Sequence, residues 1–132
     1  MSEQLSVCKA LAAMIRQHGA PTEDEVHFIA HSALELALTP EQNKAVQQVL
    51  KEGGDFAAEL GGVTSKPMRL YLFRRVVAAS LIDEKIEDHE LAIIHSTSKA
   101  FGFNDAAVTD YLAWMKQGIA WEKQGVEISA RL

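Results

Sequence analysis

Eight consecutive residues, Asp83-Glu84-Lys85-Ile86-Glu87-Asp88-His89-Glu90, carry five carboxylates, one ammonium and one imidazole around a single apolar Ile86. Carboxylates and turn carbonyls are the oxygen donors that calcium and magnesium take. A weaker copy, His18-Gly19-Ala20-Pro21-Thr22-Glu23-Asp24-Glu25, lies in the first half of the chain. The stretch mimics the end of an EF-hand loop, with Asp83, Ile86 and Glu90 at the fifth, eighth and twelfth places. Its first and third places would be Ala79 and Leu81, which offer no side-chain oxygen, so an EF-hand is excluded. Acids in a first helical turn also cap orphan amides and oppose the helix dipole, and Glu87, Asp88 and Glu90 fall where that need arises. The metal reading therefore narrows to Asp83 and Glu90, joined by Glu25 and His18 from the first copy. The candidate ion is calcium, manganese or zinc.

Other groups offer less. Glu23, His27, His31 and Glu35 are spaced four apart and stack on one helical face, where two imidazoles could share zinc. They lie opposite the Val26-Ile29-Ala33 stripe, as a solvated face does. Cys8 and His18, ten residues apart on a helix, would sit about 15 Å apart along its axis. No phosphate-binding loop, nucleophile elbow or zinc-protease helix occurs, so the chain reads as a non-enzyme. Trp114 and Trp121 share a face with Tyr111 and Gly118. That face is either core or a docking ridge for a protein partner or a second subunit, since tryptophan is enriched in interface hot spots. Arg69, Arg74 and Arg75 form a second candidate edge.

These residues need elements to position them. The 132 residues suffice for one domain with one core, and 48% hydrophobic against 23% charged is a globular composition. A formal charge of −5 argues against a general nucleic-acid binder. One cysteine excludes an intrachain disulfide and fits a reducing compartment. With no secretory signal and no transmembrane segment apparent, the expected location is cytoplasmic.

Apolar residues recur at helical spacing throughout, and no stretch reads as a strand. Leu5, Cys8, Leu11, Ala12 and Ile15 form one stripe, stopped by Gly19 and Pro21. Thr22 and Glu25 fit a capping box before Val26, Ile29, Ala30, Ala33 and Ala37. Thr39-Pro40-Glu41-Gln42 starts a third helix, which Gly53-Gly54 ends. A short helix over 55–60 is followed by Ser65-Lys66-Pro67, which opens the most apolar helix. Its wrap of Met68, Leu70, Leu72, Phe73, Val76, Val77 and Leu81 predicts a central, buried element. Leu91, Ile94, Ser98 and Phe101 mark a sixth helix. Asn104-Asp105 caps a last one carrying Val108, Tyr111, Leu112 and Met115; the shared face of Trp114 and Trp121 continues it past Gly118, or else Gly118 is its kink or end and 119–132 a returning tail. The expected fold is all-α, a single-domain bundle of about seven helices.

Sliding the chain on itself by 65 residues brings His18 onto Asp83 and the two acidic corners into ungapped register. Leu36-Ala37-Leu38-Thr39 then falls on Phe101-Gly102-Phe103-Asn104. Two pseudo-symmetric helical-hairpin repeats, about 5–50 and 66–115, are the predicted architecture.

Ile82-Asp83-Glu84-Lys85-Ile86-Glu87-Asp88-His89-Glu90, followed by Phe101-Gly102-Phe103-Asn104, resembles the second corner of the TerB-like (tellurite-resistance protein B-like) family. That corner typically reads Ala-Asp-Gly-Glu-Ile-Asp followed by acidic residues, then a Leu-Gly-Leu-Ser type of turn. The likeness runs from about Leu5 to about Met115. It implies an all-helical domain, found alone or appended to other proteins, associated with tellurite resistance and other stress responses. Acidic residues near the family's corners are proposed to bind metal ions. The chain departs from the pattern at His18, where Asp is usual, at Ala20, where Glu is frequent, and at Pro21, in the Ile position. Glu84 replaces a usual Gly and Lys85 a usual Glu, whereas Asp83, Glu90 and Glu25 stand on matching positions.

Overall fold

The computed structural model describes residues 2–82 and 85–132. Among the described residues it is all-helical, with seven helices: α1 (Glu3–Arg16), α2 (Glu23–Glu35), α3 (Pro40–Glu52), α4 (Phe56–Leu60), α5 (Lys66–Ser80), α6 (Asp88–Ala100) and α7 (Asp105–Ala130). Each start follows from local chemistry. Ser2, Thr22, Thr39, Asp55, Ser65 and Asn104 accept a first-turn amide at α1, α2, α3, α4, α5 and α7 respectively. Thr22 with Glu25 forms the complete capping box that its spacing predicts, and Thr39 with Gln42 forms a second at the start marked by Pro40. No helix among the described residues is long and apolar enough to cross a membrane.

The chain divides into two compact units, Met1–Thr97 and Ser98–Leu132. The first is built around α1, which packs against α2, α3, α4 and α5. Nine of its residues are buried, including the unbroken run Ala10 to Ile15. Cys8, Ala10, Ala12 and Ala13 are small enough to let neighbours approach from every side. Gly62 closes down on this helix at Ser6, whose hydroxyl a Cβ at position 62 would strike.

The expected central element was α5, and it is instead a one-sided helix. Leu72, Phe73, Val76 and Val77 are buried while Leu70 and Arg74 are exposed. Its flank is polar: Tyr71 and Arg75 reach across to α2. That reach rotates the buried face of α2 away from the expected stripe. Ile29, Ser32 and Ala33 are buried, whereas Ala30 and Ala37 are exposed. Arg75 Nε donates to Ser32 Oγ at 2.8 Å and Nη2 to the Phe28 carbonyl at 3.0 Å, with the guanidinium 3.7 Å from the Phe28 ring centroid.

Two helices end in the same hydrogen-bonded turn. After α2, Leu38 N–H donates to the Ala33 carbonyl and Ala37 N–H to Leu34, with Ala37 at φ +54°. After α6, Phe103 N–H donates to Ser98 and Gly102 N–H to Lys99, with Gly102 at φ +70°. Both are Schellman caps. In the second unit there is no helix end at Gly118: α7 runs through Gly118 and Gly125 to Ala130. Residues 119–130 thus continue the helix, with Arg131 as its C-cap, and are not a returning tail. Glycine lowers helix propensity without breaking the hydrogen-bond ladder, as proline would.

Candidate functional site

The first corner begins where α1 ends. Arg16 is its last residue, and Gly19 at φ +110° turns the chain, leaving His18 exposed between them. The second corner leads into α6, whose second residue is His89. The fold brings these two imidazoles together, ring centroids 4.0 Å apart and planes tilted by 55°. The sequence offset pairs His18 with Asp83, so this contact is not visible by sliding the chain on itself. Asp83 lies outside the described residues.

Both glutamates of the metal reading are held in caps. Glu25 Oε1 accepts the Thr22 N–H at 2.9 Å, and Glu90 Oε1 accepts the Glu87 N–H at 2.9 Å. Each is the third residue of its helix, where a carboxylate reaches back to the residue before the first turn. Among the described residues, no three His, Cys, Asp or Glu side chains converge on a common point that could hold a metal ion. Two imidazoles supply half of a tetrahedral zinc set.

The four-spaced face of α2 is exposed at Glu23, His27 and His31, as a solvated face would be. Glu35 is its engaged member. It accepts from Tyr71 Oη at 2.8 Å, and its Oε1 lies 3.7 Å from His31 Nε2. Burial pushes the Tyr71 phenol up to about 12, a shift that the Glu35 contact reinforces and a Ser32 hydrogen bond opposes. Burial likewise pushes the Cys8 thiol up to about 12 against the weaker pull of the Arg75 charge. Cys8 is thus a protonated core side chain and not a nucleophile. Of the three arginines, Arg69 donates to the Val63 carbonyl at 3.0 Å, Arg75 is committed to α2, and Arg74 is exposed.

One more carboxylate has a defined task. Glu3 Oε1, in the first turn of α1, accepts from Thr64 N–H at 2.6 Å, Thr64 Oγ1 at 3.1 Å and Ser65 N–H at 2.5 Å. The backbone donors Ser65 and Thr64 hold its carboxyl down at about 2. The clasp ties the start of α1 to the residue that caps α5.

The tryptophan ridge is exposed. Trp114 is 60% exposed and Trp121 71%, with Tyr111 packed beside Trp114 at 5.6 Å between ring centroids. Val108 is buried and Leu112, Met115 and Ile119 are half-buried, so the less exposed stripe of α7 is a different face. The ridge also extends beyond its expected members. Tyr111, Trp114, Gly118, Trp121, Gly125, Ile128 and Leu132 follow each other at alternating steps of three and four. Ile128 is 51% exposed, and Trp121, Gly125 and Ile128 line a shallow surface depression. The same spacing, carried past Trp121, reaches Gly125, Ile128 and Leu132. A Cβ at Gly118 or Gly125 would meet nothing within 4 Å, so each glycine leaves an open notch in the ridge.

No protein-family model, no curated protein and no solved structure matches this chain.

Proposed function

We propose that this chain is a non-catalytic, TerB-like interaction module that engages another protein chain through the aromatic ridge of α7. The observation that carries the reading is the exposure of Trp114 and Trp121 on a helix of 26 residues. Apolar residues scattered singly on a surface need no explanation, but here Tyr111, Trp114, Trp121 and Ile128 follow one another along one face of a single helix, and such a grouping marks an interaction surface. The TerB-like resemblance adds the context, a cytoplasmic protein of tellurite resistance or another stress response. Replacing Trp114 or Trp121 by a benzophenone amino acid in the producing cell tests the reading. Irradiation should give discrete adducts from both positions and none from the same group at exposed Glu41. Absence of adducts at 114 and 121 would sink it.

The duplicated architecture belongs to the same proposal. Its support is local and in register: α2 and α6 both start and end 65 residues apart. The Glu25 and Glu90 caps, the Ala37 and Gly102 turns, and the Thr39 and Asn104 N-caps keep the same offset. Unequal lengths of α3 and α7 are the main departure.

A second reading is favoured by one observation, the His18–His89 contact, which joins the two corners. In it a divalent calcium, manganese or zinc ion is held by Asp83, Glu90, Glu25 and His18. Calorimetric titration of wild type and of Asp83→Asn/Glu90→Gln decides this reading. Heats that persist unchanged in the double variant, or no heats in either protein, would remove it.

A further inference from the structure

We propose that the occupant of the α7 ridge is a second copy of this chain, docked antiparallel so that each tryptophan seats in a glycine notch of its partner. This deepens the interaction reading and rests on it. Steps of three and four are the knobs-into-holes spacing of packed helices. Here the two positions alternate in size over the middle of the ridge: Trp114, Trp121 and Ile128 occupy one, and Gly118 and Gly125, flanked by Tyr111 and Leu132 at the ends, the other. A parallel pair would set tryptophan against tryptophan and glycine against glycine, crowding some layers and leaving voids in others. An antiparallel pair matches them. Trp114 meets the partner's Gly125, and Trp121 meets the partner's Gly118. Tyr111 meets the partner's Ile128, and the two-fold axis falls between positions 119 and 120.

Charge agrees with the same register. The flanking positions on one side of the ridge are Asp110, Gln117, Gln124 and Arg131, all exposed. Antiparallel docking puts Asp110 opposite the partner's Arg131 at each end, and Gln117 opposite the partner's Gln124. The other flank sets Glu122 opposite the partner's Met115. A parallel pair would place no opposite charges together at these positions. Area is consistent with a modest interface. Each tryptophan contributes about 150–250 Å² when buried, so at the exposures seen four of them supply roughly 400–650 Å². The remaining ridge residues bring the total toward the ~1,200 Å² lower bound of specific interfaces, and a dissociation constant on the order of micromolar is expected.

Sedimentation equilibrium of the full chain between ~1 and ~200 μM, the range that brackets such an affinity, is the first measurement. A reversible monomer–dimer equilibrium is expected. Trp121→Ala should weaken it on the order of a hundredfold, since the hot spot occurs twice per dimer. Gly118→Glu should do the same while keeping the helix, because Glu is the better helix former. Asp110→Arg and Arg131→Asp should each weaken the dimer by about two- to thirtyfold, and the double variant should recover it. With Gln117→Cys and Gln124→Cys, a mixture should form a disulfide-linked pair more readily than either variant alone. A chain that stays monomeric, a charge swap that does not restore, or preferred linkage of Gln117→Cys to itself would each overturn the proposal. The benzophenone experiment separates the two levels. An adduct of twice the chain mass supports this inference, adducts only with other proteins retain the module reading and remove the dimer, and no adduct removes both. Binding to anionic vesicles without self-association would also overturn it.

Discussion

Ala37 and Gly102 occupy equivalent Schellman turns with opposite residue choices, and exchanging them isolates a backbone effect. Ala37 sits at φ +54° and Gly102 at φ +70°, and both are exposed. A Cβ at Gly102 would meet nothing within 4 Å, so Gly102→Ala introduces no clash with neighbours. The remaining cost is that of a left-handed conformation for an L-residue, about 1–2 kcal/mol. Restricting the unfolded chain offsets about 0.4–1 kcal/mol of it. Gly102→Ala should therefore destabilise by about 0.5–1.5 kcal/mol. Ala37→Gly reverses both contributions and should stabilise by about 0.5–1.5 kcal/mol. In urea, with a slope of about 2 kcal/mol per molar, these are midpoint shifts of roughly 0.25–0.7 M in opposite directions. An unchanged midpoint for Gly102→Ala, or a lower one for Ala37→Gly at constant slope, would refute the reasoning.

Arg75→Met removes two charge-assisted hydrogen bonds and leaves Ser32 buried without its donor. A loss of about 2–4 kcal/mol is expected in thermal or urea unfolding, larger than that of Ser32→Ala. The Glu3 carboxyl is held at about 2 in the fold against an ordinary value of 4.5, so it binds a proton less readily folded than unfolded. Its contribution is complete above about 4.5 and is lost as pH falls toward about 2, so the acid limb of the stability profile should flatten over that window in Glu3→Gln. Cys8, with its thiol at about 12, should resist a thiol reagent at pH 8 in the native state and react fully in denaturant. Rapid native labelling would contradict its burial.

The features legible in the sequence are those made within a few residues of one another. Thr22 with Glu25, Thr39 with Gln42, and Asn104 announce helix starts because a cap is an exchange of hydrogen bonds three residues apart. The helical spacing of the apolar residues excluded strands for the same reason, since a face three or four residues in period cannot lie flat on a sheet. The acidic stretch 83–90 was legible as far as its caps: Glu90 takes the Glu87 amide as its position suggests.

What the tertiary structure alone decided concerns which surface covers which. Counting apolar residues favoured α5 as the centre, but small side chains on α1 admit four neighbouring helices, while Arg75 and Tyr71 give α5 a polar flank turned to α2. Ser32 is buried because Arg75 reaches it from 43 positions away, a pairing without local trace. His18 meets His89 for the same kind of reason, across 71 positions. Periodicity marked the face of Trp114 and Trp121 as apolar without saying whether anything lies against it. Burial is a property of two surfaces, and a sequence pattern describes only one of them. The fold leaves that one on α7 bare.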